Sequence, residues 1–255
     1  MQAVATQQST TAVLPHRPVQ WRRAARALWQ MMGNYDSRLI MDYAVALEGD
    51  DGERGFQDFL AQPGARELER DRPCLAAIMD DWDRLEQLPA ESLGRAYLAL
   101  ARRDRIRVGD LVAGAHGLPD ERERAPDPLR RWYRDRMTAM HDLLHVLTGY
   151  GRDRPGELLL IAFTLAIAPM RVLRIAIVLG PFATPPRALP GMLRDLWRAW
   201  RRGAASQISR ATRWETLLPL PIAEVQARLG VAPERAAHPR GIWRERVRGE
   251  WRRVP

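Results

Sequence analysis

The sequence predicts an all-α fold, a single mostly helical domain with a central antiparallel helix pair. Three observations predict it. Apolar residues recur at three- and four-residue spacing along most of the chain. No run of alternating Val, Ile and Thr is long enough to build a sheet. Two of the five histidines stand four residues apart, at His141 and His145, within a stretch of helical period, and a second apolar stretch follows after a turn. The 255 residues suffice for a full core and show no clear boundary between domains. We expect residues 1–16 to be disordered, 17–232 to form the helical domain, and 233–255 to be a basic, flexible tail.

The elements follow in order. A helix is expected from Pro18 to Met32, with Trp21, Ala25, Leu28 and Met32 on one face and Arg22, Arg23 and Arg26 on the other. A second spans Ser37 to Leu47 and ends at Gly49-Asp50-Asp51-Gly52. Short helices over 53–61 and 64–70 lead to a break at Pro73. Cys74 to Leu85 reads as one amphipathic helix, and Pro89 opens another that runs to Arg103. Ile106 to Val108 is either one short strand or nothing regular, and Leu118 to Pro128 is a polar connector.

The motif helix is expected from Pro128 to Thr148, with Trp132, Met137, Met140 and Leu144 on its inner side. Gly149 to Gly156 is turn-forming, and the next helix starts between Asp153 and Pro155, with Asp153 as its cap. Leu158 to Met170 is thirteen residues of almost unbroken apolar character. That is short of the roughly 20 needed to span a bilayer. It fits either a core helix or the wall of a cavity for a greasy ligand. After a proline-rich connector, Gly191 to Arg202 sets Leu193, Leu196, Trp197 and Trp200 against Arg194, Arg198, Arg201 and Arg202. Such a helix suits a membrane headgroup layer or an ordinary surface that snorkels its arginines.

Composition removes several functions. All forty basic residues are arginine. Without a lysine there is no Schiff-base chemistry and no Walker A phosphate loop. A single cysteine, Cys74, excludes an internal disulfide and fits a reducing compartment, and no early apolar run of signal type is present. The net charge is +9, yet no nucleic-acid-binding signature accompanies it, so the excess charge points to an anionic membrane surface. We therefore expect a cytoplasmic protein, peripheral on the inner face of the membrane.

His141, Asp142 and His145, followed after eleven residues by Glu157, are the candidate site. On a helix the two histidines lie about 40° apart around the axis, and Asp142 sits one step aside. An antiparallel return would bring Glu157 beside them, converging two imidazoles and two carboxylates on one point. That is a donor set for a divalent metal, with zinc favoured and iron, cobalt or manganese accepted. The same pattern also serves as a hydrogen-bonding group on a helix surface. No Glu follows His141 directly, which separates the motif from zinc proteases; a His-Asp phosphohydrolase is a weaker alternative.

With its surroundings the motif resembles the fourth coenzyme Q biosynthesis protein family. The resemblance rests on His-Asp-x-x-His-x11-Glu and on Leu88 to Tyr97 with its closing Gly-Arg-Ala-Tyr. Arg136, Gly180-Pro181, Arg213-Trp214-Glu215 and the stretch from Glu224 to Gly230 extend it over about residues 20 to 232. The chain departs at Met137-Thr138, where family members often carry Tyr-Arg. The resemblance implies a metal-dependent hydroxy-decarboxylase, a lyase acting on a prenylated hydroxybenzoate, with the four candidate residues as metal ligands and catalytic centre. It favours the cavity reading of Leu158 to Met170. Other implied partners are quinone intermediates, further quinone-biosynthesis proteins and a second copy in a homo-oligomer. The competing expectation is a scaffold that presents a prenyl lipid and uses the metal as a structural clip.

Overall fold

The structure is a computed structural model describing residues 12–33, 37–118, 120–183, 186–231, 244–247 and 250–253. It is an all-α single domain. Its helices are α1 (Trp21–Gly33), α2 (Ser37–Glu48), α3 (Asp51–Leu60), α4 (Ala65–Asp71), α5 (Leu75–Asp80), α6 (Trp82–Glu86), α7 (Leu93–Asp104) and α8 (Val108–His116). They continue with α9 (Glu121–Arg124), α10 (Pro128–Thr148), α11 (Arg154–Ile167), α12 (Arg171–Leu179), α13 (Leu189–Ala205), α14 (Trp214–Leu217) and α15 (Ile222–Arg228). A 3-10 turn, Gly180–Ala183, joins α12 to the following connector. The sole sheet among the described residues is an antiparallel hairpin, β1 (Arg244–Val247) with β2 (Glu250–Arg253), inside the expected C-terminal tail. The expected N-terminal disorder of residues 1–16 falls mostly outside the described residues.

Local chemistry explains where the long helices begin and end. Asp127 caps α10 by accepting from the N–H groups of Leu129 and Arg130, each at 3.0 Å. Pro128 follows in the first turn, where a missing N–H costs nothing. Gly149, at φ 78°, ends α10 in the left-handed conformation that favours glycine. The α11 helix then starts after Asp153 with Pro155 in its first turn, as its sequence predicts.

Several expected boundaries move. Cys74 to Leu85 is two helices, because Asp81 leaves helical geometry and its side chain caps α6 through the Arg84 N–H. The helix expected from Pro89 starts at Leu93: Ser92 caps it, and the Leu93 and Gly94 N–H groups bond the carbonyls of Leu220 and Leu218. Ile106 to Val108 is no strand. Val108 is buried and opens α8, held by Asp80, whose carboxylate accepts from the Val108 and Gly109 N–H groups. The polar connector contains α9.

The main core joins α5, α7, α10, α11, α13 and α15 through residues such as Tyr97, Leu143, Leu144, Leu159, Phe163 and Trp214. The run from Leu158 behaves as core, with Leu159, Leu160, Ala162 and Phe163 all at or below 1% exposure. Its main neighbour is α13 rather than α10, which packs on α5, α7 and α8 and meets α11 near their shared turn. Gly203 permits the α11–α13 approach: a Cβ there would stand 2.2 Å from the Phe163 carbonyl oxygen. By contrast α12 is apolar but buries no residue fully.

A second cluster packs Phe56, Phe59 and Leu68 on Leu129 and Tyr133 of α10. The third joins α1 and α2 through Ala24, Ala46 and Leu47, against Val172 and Ile175 of α12. Here the side of α1 that meets the core is neither the apolar stripe nor the arginine face. Ala24 and Ala27 point inward, while Trp21, Leu28 and Trp29 are exposed.

Candidate metal centre

The last turns of α10 and the first turn of α11 bring His141, His145 and Glu157 together. The two Nε2 atoms are 3.2 Å apart. Glu157 Oε2 lies 3.4 Å from His141 Nε2, and Glu157 Oε1 lies 3.3 Å from His145 Nε2. The imidazole rings stand edge to face at 90°. His145 is buried, whereas the side chains of His141 and Glu157 are 41% and 31% exposed, so the cluster opens to solvent on one side.

The supporting contacts fix which atoms face inward. His145 Nδ1 is 3.1 Å from the Tyr150 carbonyl oxygen and donates to it, leaving the Nε2 lone pair for the centre. The Tyr150 N–H bonds the Thr148 hydroxyl, which itself donates to the Leu144 carbonyl. From α13, Arg202 stacks 5.0 Å over the Tyr150 ring and donates to the Thr148 carbonyl at 3.3 Å. Nothing in the sequence spacing marked Arg202 or Tyr150 as part of the site.

The donor set fits a divalent cation. Two Nε2 atoms at 3.2 Å can share at most one proton between their lone pairs, whereas one cation satisfies both. For metal–ligand bonds of about 2.0–2.1 Å, tetrahedral ligands stand about 3.3–3.4 Å apart, close to the three separations observed here. Burial works to raise the Glu157 carboxyl, but hydrogen bonding and charge from His141 and His145 prevail and hold it well below the usual carboxylate range. Glu157 is thus ionised at neutral pH and able to serve as a ligand.

Asp142 stands apart from this triad. Its Oδ1 accepts from Arg152 Nη1 at 2.8 Å, and its Oδ2 is buried with no hydrogen-bond partner among the described residues. Arg152 also lies 3.8 Å from Asp104. Of the four expected ligands, the structure gathers His141, His145 and Glu157 within one group, and Asp142, next to His141 in sequence, pairs with Arg152.

Arg136, which is buried, and Glu215, well separated from it in sequence, form an ion pair. Arg136 also donates to the Thr212 carbonyl at 2.7 Å, tying α10 to the segment that carries the buried Trp214. This pair holds the helix from which His141 projects.

Comparison with known proteins gives a consistent result. The family model for coenzyme Q (ubiquinone) biosynthesis protein Coq4 matches residues 52–235. The mitochondrial ubiquinone biosynthesis protein coq4 of Pyrenophora tritici-repentis is 30% identical over 174 residues, covering 68% of this chain and 57% of the relative. Its namesake in Yarrowia lipolytica is 26% identical over 180 residues, covering 69% and 64%. This chain therefore spans less than two thirds of the length of these relatives. A crystal structure of a Nostoc punctiforme protein, provisionally assigned to ubiquinone biosynthesis, superimposes with a TM-score of 0.63 at 20% identity. It covers 84% of this chain and 99% of its own, and establishes the shared fold.

Proposed function

Because the chain belongs to the coenzyme Q (ubiquinone) biosynthesis protein Coq4 family, we propose that it is a metal-dependent enzyme of that route. The reading assigns it the oxidative decarboxylation of a prenylated hydroxybenzoate at the membrane surface. The ring carbon that bears the carboxylate exchanges it for a hydroxyl and loses carbon dioxide. This is a two-electron oxidation: one dioxygen takes up the two electrons and two protons and leaves as hydrogen peroxide, and water supplies the hydroxyl oxygen, so that the acid, dioxygen and water give the phenol, carbon dioxide and hydrogen peroxide. The observation that carries the reading is the partly exposed His141–His145–Glu157 triad, whose donor atoms lie 3.2–3.4 Å apart.

A divalent cation bound there, zinc by preference and iron, cobalt or manganese by the same donors, supplies Lewis-acid stabilisation of a deprotonated ring oxygen. The chain's own residues do the rest. His145 is locked by Tyr150, and Glu157 offsets the cation's charge. His141 and Glu157 form the open side, by which an acid headgroup enters. The apolar, incompletely buried α12, together with exposed Phe182, offers surface to an isoprenoid tail. No helix among the described residues is long and apolar enough to cross a membrane. Contact with the bilayer is assigned to the Arg/Trp face of α13, where Leu193, Trp197 and Trp200 are exposed.

The test is incubation of purified, metal-loaded protein with a prenylated hydroxybenzoate in detergent under oxygen, followed by mass spectrometry. The expected product has lost carbon dioxide and gained a hydroxyl, and is absent with His145→Ala. Tail binding without turnover under every metal would move the assignment to a lipid-presenting scaffold.

A further inference from the structure

The α1 helix is built inside out. Over Trp21 to Gln30 its buried residues are two alanines, Ala24 and Ala27. The large apolar residues over the same stretch point away from the protein: Trp21 is 59%, Leu28 38% and Trp29 73% exposed. Successive turns place Trp21, Ala25, Leu28 and Trp29 along one outward stripe. Arg22 and Arg26 flank the stripe and are exposed, and neither has a carboxylate partner among the described residues. Arg23, by contrast, turns inward to Asp42 and Asp120. An amphipathic helix that served only the core would present its indoles to it.

We propose that α1 is an interfacial helix, docking through Trp21, Leu28 and Trp29 on the anionic headgroup layer of a lipid bilayer. Three features select this occupant. Indole rings pair an apolar body with a polar N–H, which suits the boundary between headgroups and acyl chains. The helix carries no acidic residue, so a second copy docked symmetrically would set Arg22 and Arg26 against their own kind. The excess charge of the whole chain, +9, has the same sign.

Position agrees with this. The inner face of α1 and α2 rests on Val172 and Ile175 of α12, and α12 ends in the exposed Val178 and Leu179, followed by exposed Phe182. Both α1 and α2 lie before residue 52, outside the stretch matched by the family model. The inference rests on the membrane part of the function proposed above and is independent of the chemistry.

The experiment is co-sedimentation of the full chain with vesicles of phosphatidylcholine alone or mixed with phosphatidylglycerol, at low and high salt. Variants are Trp21→Ser with Trp29→Ser, Arg22→Gln with Arg26→Gln, and a control, Trp197→Ser with Trp200→Ser on α13. All six positions are surface residues, and circular dichroism confirms the fold of each variant. Salt-sensitive binding to the anionic vesicles is expected. It should weaken about fivefold for each arginine removed and at least as much for the α1 tryptophan pair. Wild-type binding by both α1 variants, with loss only in the α13 control, would overturn the role of α1 and leave the membrane reading standing. No wild-type pelleting with any vesicle would overturn both. A lipid-free dimer abolished by the α1 tryptophan variant would replace the bilayer with a second copy.

Discussion

His145 donates its Nδ1–H to the Tyr150 carbonyl at 3.1 Å, so the residue that follows the C-terminal glycine of α10 sets the face His145 presents to Glu157. Tyr150 is itself held. Arg202 covers its ring and bonds the Thr148 carbonyl, which spans the same turn from the α13 side.

Replacing Arg202 with Ala should therefore loosen His145 and weaken metal binding about tenfold or more. Competition against a chromogenic chelator measures this, with the metal-free melting temperature recorded alongside. Unchanged affinity in a protein that merely melts earlier would make Arg202 a packing residue only.

A second prediction concerns acid stability. Burial opposes ionisation of Glu53, but Arg130, Gln57 and the Leu14 N–H overcome it and hold its carboxyl below the ordinary 4.5. A depressed carboxylate stabilises the fold above its unfolded value and loses that contribution as pH falls. Glu53→Gln should cost about 2 kcal/mol at pH 7 in denaturant unfolding. The gap to wild type should narrow as pH drops below 4.5. A gap that stays constant down to about pH 3 would remove Glu53 from the account.

The bounds of α10 and the start of α11 were legible because a cap, a first-turn proline and a terminal glycine act locally. So was the triad, since i, i+4 spacing fixes one face of a helix and the turn returns the chain. The ion pair of Asp142 with Arg152 was not legible there, because Arg152 lies in the turn, ten residues away. The inner side of α1 was not legible, because periodicity reports a stripe and not which side meets the core. Packing of α11 on α13 depends on Gly203 meeting a backbone carbonyl about forty positions away, a relation that no local pattern carries.

The central claim is that His141, His145 and Glu157 hold one divalent metal, and metal analysis of purified protein tests it most directly. Wild type should carry one equivalent. His145→Ala and Glu157→Ala should each lose it, while Asp142→Asn, which removes the charge paired with Arg152, should keep it. One equivalent retained in both His145→Ala and Glu157→Ala would place the metal elsewhere and contradict the account.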